Sequence, residues 1–301
     1  LRMLGPLVFG DQHHYGFPLT GSGTNDTVSG LTRDDLVAHH HSVFYPKNAT
    51  LLVVGDITME QLEPKLEERF TDWEGGNRQI LRSISKSTDH PVRIFLVDKP
   101  DAEQSLIVTG NRIPPREKLD QIAVEVMNAV IGGTFTSRIN MNLREEKHWS
   151  YGARSFIYET SAQQLFATYA NVQTDKTSES MTEIQKELSA FVGDNPVTQD
   201  ELEKIQQNKT RKLPGQNETS GEVLGSITEI VKYDLPDDYY DTYSDKVRGL
   251  TQEQVAQAAK DNIKLDQMTW IVIGDLDEIE EDIRALELGD VQVIERGGLV
   301  D

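Results

Sequence analysis

Two hydrogen-bond donors, Arg144 and Tyr151, follow a double-glycine turn near the middle of this 301-residue sequence. Gly132 and Gly133 come directly after an apolar run over residues 122–130, where a helix end favours residues that tolerate the left-handed conformation. The pattern predicts one helix, a glycine turn, a second helix and then a strand. On spacing alone, a helix pair packed on a sheet with solvated charges is the simpler interpretation.

The second helix is expected to begin at about Thr136, whose side chain can cap it, and to carry Arg144 beside an apolar stripe. For Arg144 the structural alternative is a surface ion pair with Glu145 or Glu146, worth about 0–1 kcal/mol. For Tyr151 the alternative is an aromatic side chain at the edge of a sheet.

The wording of this motif resembles the second domain of the pitrilysin/insulinase-type zinc peptidases, which include mitochondrial processing and bacterial relatives. In that family a Gly-Gly-x-Phe-x-Ser-Arg turn, here residues 132–138, leads to a Leu-Arg-Glu helix, here residues 143–145. A tyrosine follows the helix arginine at the interval that separates Tyr151 from Arg144. The resemblance implies that both side chains reach across a closed cavity to the substrate backbone and the developing oxyanion near the zinc. Donors fixed in such a position lower a barrier by several kcal/mol.

Composition excludes several other classes of function. The net charge of −20 disfavours nucleic acid and anionic membrane surfaces as partners. No apolar run approaches the ~20 residues of a membrane span. The sequence lacks cysteine, which excludes disulfides, thiolate metal sites and a cysteine nucleophile.

The first 75 residues are expected to contain two helices and one strand. Residues 1–30 predict a loop, and a capping box of Thr32 and Asp35 starts a helix that runs to about Phe44. The apolar run at residues 51–54 predicts a short buried strand, and a helix follows over residues 59–70.

The later part of the chain reads as alternating strands and helices. Strands are expected near residues 92–97, 105–110, 154–158 and 165–172. The predicted helices cover residues 177–192, a stretch starting at the Thr198 capping box, and about residues 221–233 and 237–247.

An internal repeat relates residues 31–56 to residues 250–275. Leu31 matches Leu250 and Gly55 matches Gly274, with a constant offset of 219 residues. A unit of this length would place about 130 residues of the first copy before residue 1. We therefore expect an α+β fold: the tail of one pitrilysin-type domain (1–75), a linker (76–90), and a complete second domain (91–301) with an antiparallel sheet covered by helices.

The zinc motif of the family, an inverted His-x-x-Glu-His helix in its first domain, is absent from this sequence. The run at residues 39–41 fans three histidines around a helix, which fits a solvated face better than a metal site. Glu145-x-x-His148 has a di-metal spacing, yet a structural role for His148 is the preferred interpretation. His13 and His14 are expected to face water. We expect no metal or cofactor site in this chain, with zinc supplied by a missing N-terminal segment or a partner subunit.

Two functions follow from the resemblance. In the first, the chain is the C-terminal part of a zinc-dependent endopeptidase and contributes substrate and transition-state contacts through Arg144 and Tyr151. In the alternative, it is a non-catalytic homologous subunit that partners a zinc-bearing chain or serves as a structural protein. The expected partners are a peptide substrate and a zinc-bearing homologue or second copy, in the bacterial periplasm or cytoplasm. The chain by itself is expected to be inactive.

Overall fold

The computed structural model describes residues 2–10, 13–75, 89–160 and 162–295, which form two compact units. The first unit takes the described residues of 1–23, 84–209 and 245–301, and the second takes those of 24–83 and 210–244. Most of the predicted linker, residues 76–88, lies outside the described residues. Within the part of the chain that is described, no helix is both long and apolar enough to cross a membrane.

Helices and strands have the following bounds across the described residues. The α-helices are α1 (Leu4–Phe9), α2 (Asn25–Ser29), α3 (Arg33–Val43), α4 (Met59–Phe70), α5 (Gln121–Asn128), α6 (Arg138–Asn140), α7 (Thr177–Val192), α8 (Gln199–Lys212), α9 (Ser220–Tyr233), α10 (Tyr239–Gly249), α11 (Gln252–Asn262) and α12 (Leu276–Ala285). The strands are β1 (Arg93–Asp98), β2 (Gln104–Pro115), β3 (Ser150–Tyr158), β4 (Gln163–Gln173), β5 (Thr269–Gly274) and β6 (Asp290–Ile294). Two π-helical segments, Ala129–Gly133 and Met141–Glu146, flank α6.

The first unit is built on one six-stranded sheet with the order β3-β4-β2-β5-β1-β6. Strand β4 pairs antiparallel with β3 and β2, β2 pairs antiparallel with β5, and β1 pairs parallel with β5 and β6. This sheet with its helices confirms the predicted α+β class. Strand β2 continues past the predicted end at residue 110 because its pairing with β4 extends to Pro115.

One face of this sheet packs against α7, α11 and α12. Alternate strand residues point to this face, and Leu96, Ile107 and Val172 are each fully buried there. Helix α7 covers them with the apolar stripe that its spacing predicts: Met181, Ile184, Leu188 and Phe191, each at most 1% exposed.

The opposite face is partly covered by α1, in a region that the sequence predicts as loop. That prediction is wrong because the apolar residues of α1 pack on the sheet residues Phe95, Leu165 and Ile271 and gain a helical conformation by doing so. His13, predicted to face water, is 2% exposed and stacks on Phe9 at 4.9 Å. Burial lowers the pKa of His13.

The sequence repeat is reproduced by the helices but not by the strand. Helices α3 and α11 have the same bounds under the offset of 219 residues, and the Thr32 and Thr251 side chains cap them in the same way. The strand predicted at residues 51–54 is wrong, because a strand requires hydrogen-bonded neighbours and none pairs with this segment in the described structure. Its counterpart, β5, lies between β2 and β1.

Candidate functional site

The double-glycine turn lies directly against the edge strand β3. A methyl group at Gly132 would approach the backbone nitrogen of Ser155 to 2.5 Å, so only glycine fits there. The Ser155 hydroxyl donates to Asn128 Oδ1 at 2.7 Å and closes this contact from the strand side. Gly132 and Gly133 do not have positive φ angles, so the left-handed conformation predicted for them is wrong. Close approach of two backbones is what requires glycine here.

The helix after the turn begins two residues later than predicted. Ser137 occupies the N-cap position, and its backbone nitrogen donates to the Thr134 carbonyl at 3.2 Å. Thr136 therefore lies inside a turn and does not cap the helix. The short helix α6 then passes directly into the π-helical segment Met141–Glu146.

Arg138 fixes this helix to the loop between α7 and α8. Its guanidinium donates to both carboxylate oxygens of Glu201 at 2.7 and 2.6 Å and to the carbonyls of Asn195 and Pro196. It also lies over the ring of Phe191, 4.9 Å from the centroid. The Arg138 side chain is only 11% exposed, so it positions the segment that follows and is not available to a ligand.

The charge of Glu201 is held by this arrangement. Burial by itself would raise the pKa of Glu201, but hydrogen bonds from Arg138 and from the Thr198 backbone outweigh that effect and lower it. Glu201 also closes the predicted capping box with Thr198. The junction of three helices is therefore locked by one ionised carboxylate.

Arg144 lies in the π-helical segment, where the Lys147 amide donates to the Asn142 carbonyl at 2.9 Å. Its Nε is 3.2 Å from Glu145 Oε1, and its guanidinium lies 4.8 Å from the ring centroid of Phe135. The predicted surface ion pair with Glu145 is thus present. The Arg144 side chain is still 42% exposed and remains accessible to a ligand.

Tyr151 occupies a β-bulge at the start of the edge strand β3. The register with β4 passes from Ser150↔Val172 to Gly152↔Asn171, which leaves Tyr151 as the extra residue. The side chain is 85% exposed. The π-helical segment that carries Arg144 packs against β3, so the two predicted site residues lie on adjoining elements.

His148 makes the turn between these two elements. Its φ of 59° lies in the left-handed region, which is uncommon for residues other than glycine. Its Nδ1 lies 3.1 Å from the Arg144 carbonyl oxygen, which accepts the hydrogen bond. This geometry supports the structural role that was preferred for His148.

The described residues do not fit a zinc ion, since they contain no group of three histidine or carboxylate side chains arranged to hold a metal. In helix α3 the rings of His40 and His41 meet edge to face, and His40 stacks on Phe44. His39, His40 and His41 are all exposed. We therefore derive no chemical step at a metal within this chain.

A cavity of about 660 Å³ opens on the sheet face where β3, β4 and β2 adjoin. It extends from Gly133 around Ser155 to the side chains of Arg154 and Tyr169. Sequence reasoning missed this cavity because its lining residues come from separate strands and share no motif.

Comparison with known proteins adds the family to this geometry. A sequence profile described as the peptidase M16 inactive domain matches residues 30–209, more than half of the chain. The chain belongs to the peptidase M16 inactive-domain family. The resemblance to pitrilysin-type zinc peptidases is thereby confirmed, and the absence of a fitting metal group agrees with an M16 inactive domain.

Relatives of this M16 chain include proteins named zinc proteases. It is 26% identical to an uncharacterised zinc protease of Mycobacterium leprae over 190 residues, 62% of this chain and 42% of that protein. It is 22% identical to the zinc protease PqqE of Helicobacter pylori over 228 residues, 74% of this chain and 51% of that protein. The chain spans about half the length of these two relatives.

The M16 fold is also found in solved structures. A crystal structure of a peptidase M16 inactive domain from Pseudomonas fluorescens superimposes with a TM-score of 0.80. The sequences are 22% identical, and the match covers 90% of this chain and 64% of that one.

Proposed function

We propose that this chain is the C-terminal part of a zinc-dependent endopeptidase, in which it supplies substrate and transition-state contacts and another segment supplies the zinc. The observation that carries this proposal is the placement of Arg144 and Tyr151 on adjoining elements with their side chains accessible. Both positions are irregular, since Arg144 lies in a π-helical segment and Tyr151 in a β-bulge. Such irregularities are over-represented next to functional sites.

The chemistry of these two side chains fits the proposed role. A guanidinium keeps its charge and offers several N–H donors, and a phenol offers one O–H donor to a carbonyl or an oxyanion. Removing one oxyanion donor from a peptidase lowers kcat by about 10²–10³-fold. The competing ion pair of Arg144 with Glu145 is exposed and worth only about 0–1 kcal/mol, so a substrate carbonyl could displace it.

The domain organisation that we propose keeps the predicted division at residues 1–75, 76–90 and 91–301. The internal repeat supports it. Val255, Ile263, Trp270 and Val272 are at most 3% exposed, whereas their counterparts under the offset, Leu36, Phe44, Leu51 and Val53, are 45–59% exposed. The second copy buries these positions under its own sheet and helices. We propose that the first copy is completed in the same way by strands and helices outside residues 1–75.

The zinc would then be carried by that completing segment or by a homologous subunit that closes a two-domain chamber around a peptide. The alternative proposal, a non-catalytic or structural homologue, is favoured by one observation. Arg144 is already engaged by Glu145 and by the ring of Phe135, as expected for a side chain with a packing role. The kinetic test below separates these two proposals.

The test requires the chain assembled with its zinc-bearing segment or subunit and a quenched peptide substrate. Arg144→Ala and Tyr151→Phe should each lower kcat/KM by about 10²-fold or more, as expected for loss of an oxyanion donor. Arg248→Ala, at an exposed arginine paired with Asp245, is the matched control and should leave kcat/KM unchanged.

Changes below about threefold for both variants would favour the structural homologue. The 301-residue chain without its partner should bind no stoichiometric zinc and hydrolyse no peptide. Zinc-dependent cleavage by that chain alone would refute the proposed division of roles.

A further inference from the structure

The cavity on the sheet face is an apolar recess between strand side chains and α1. Leu106 and Val108 of β2 and Phe156 of β3 contribute apolar lining, and Leu4 of α1 contributes a wall. The cavity exists because α1 covers only part of this face. Its volume of about 660 Å³ lies within the ~300–1,000 Å³ typical of ligand sites.

Arg154 is the one charged residue among the described residues that line this cavity. It stands opposite Tyr169 in the β3–β4 register, and its side chain is exposed. Within the described part of the chain it forms no ion pair, although the whole sequence has 50 acidic and only 30 basic residues. An unpaired guanidinium at the mouth of an apolar recess is complementary to a carboxylate beside an apolar group.

The cavity lies close to the proposed peptide site. Arg154 follows Tyr151 by three residues along β3, which corresponds to about 10 Å at the usual strand rise. Gly133, the end of the turn that precedes Arg144, also contributes to the lining. One extended peptide segment could therefore contact Tyr151 and enter the cavity.

We infer that this cavity binds an apolar side chain of a peptide and that Arg154 holds a carboxylate adjacent to it. This inference rests on the proposed function, since it takes the peptide that Arg144 and Tyr151 contact as the ligand. Two sources share this chemistry: the C-terminal carboxylate of a peptide, and an aspartate or glutamate side chain next to an apolar residue. Asn171, opposite Gly152 at the rim, offers an amide donor to the same carboxylate.

Ligand-observed NMR titration of the 301-residue chain tests the inference with three uncleaved probes. They are N-acetyl-Ala-Ala-Leu as the free acid, the same peptide as the carboxamide, and N-acetyl-Ala-Leu-Asp as the carboxamide. At least one of the two carboxylate-bearing probes should bind about fivefold or more tightly than the neutral one. The probe that shows this preference identifies the source of the carboxylate.

Two substitutions locate the binding. Arg154→Gln should abolish the preference while the Kd of the neutral probe stays within about twofold, because an exposed arginine can be neutralised without repacking. Val108→Trp should fill the recess and weaken all three probes. Arg33→Gln, at an arginine whose side chain is 87% exposed, is the matched control and should change none of the three Kd values.

Three results would overturn the inference: equal Kd values for all probes, no binding of any probe, or a preference that survives Arg154→Gln. The readout involves no hydrolysis, so its failure leaves the proposed roles of Arg144 and Tyr151 standing. Conversely, an Arg154-dependent preference supports the site even if Arg144→Ala and Tyr151→Phe leave catalysis unchanged.

Discussion

Replacing Gly132 with alanine would insert a methyl group into the contact between the glycine turn and β3. The added carbon would lie 2.5 Å from both the nitrogen and the hydroxyl of Ser155, and 2.6 Å from its Cβ. Carbon atoms in favourable contact are about 3.5–4.0 Å apart, so a separation of about 1 Å more is needed. Strand β3 cannot retreat freely, because Ser155 is registered with Thr168 of β4 on its other side.

The size of the effect follows from these contacts. Overpacking of a well-packed core destabilises a protein by about 1–3 kcal/mol. Separation of the two elements would also break the hydrogen bond from Ser155 to Asn128, whose net contribution is about 0.5–1.5 kcal/mol. We therefore expect Gly132→Ala to lower the free energy of unfolding by about 2–4 kcal/mol.

Urea unfolding followed by tryptophan fluorescence measures this change, since Trp270 is buried in β5 of the same unit. Gly249→Ala is the matched control: it makes the same substitution at the last residue of α10, where no atom lies within 4 Å of the added carbon. Its stability should change by less than about 0.5 kcal/mol. Ser155→Gly combined with Gly132→Ala removes two of the three crowding atoms and should restore part of the loss. Equal stability of Gly132→Ala and Gly249→Ala would refute the close-approach argument.

Two further stability predictions concern the helix junctions. Glu201→Gln should lower the free energy of unfolding at neutral pH by about 1–2 kcal/mol, because it breaks the bidentate contact with Arg138. The pKa of Glu201 is lowered in the folded state, so its contribution is complete above its ordinary value of 4.5 and is lost as the pH falls through the lowered value. Unfolding measured between pH 6 and 3 should therefore be less pH-dependent in Glu201→Gln than in the wild type, and an equal slope would contradict the assignment. Thr251→Ala should destabilise the first unit by about 1 kcal/mol through loss of the α11 cap, whereas Thr32→Ala should leave that unit's unfolding unchanged, since it caps α3 of the other unit; equal effects in the same unfolding assay would contradict this.

Local interactions made several elements predictable. The capping boxes at Thr32, Thr198 and Thr251 involve residues three positions apart, and the structure places a helix after each of them. The apolar stripe of α7 has helical period and is buried as expected. These features depend on side chains and backbone groups within one or two turns, so the sequence contains all of the information they require.

The candidate site was only partly predictable. Motif wording singled out Arg144 and Tyr151, but nothing local indicated that one lies in a π-helical segment and the other in a β-bulge. Both irregularities depend on how the glycine turn meets β3. Arg154 escaped notice because its significance depends on Tyr169 and Val108, which reach the same cavity from other strands.

The sequence by itself determined the α+β class, the family resemblance, the helix positions with their caps, and the repeat at an offset of 219 residues. Tertiary structure alone decided that α1 forms on the sheet and that His13 is buried there. It also decided that residues 269–274 form a strand while the matching apolar residues 51–54 do not. The physical reason is the same in each case: short helices and strands are stabilised by the surface or the neighbouring strand they meet, and those partners lie far away in the sequence.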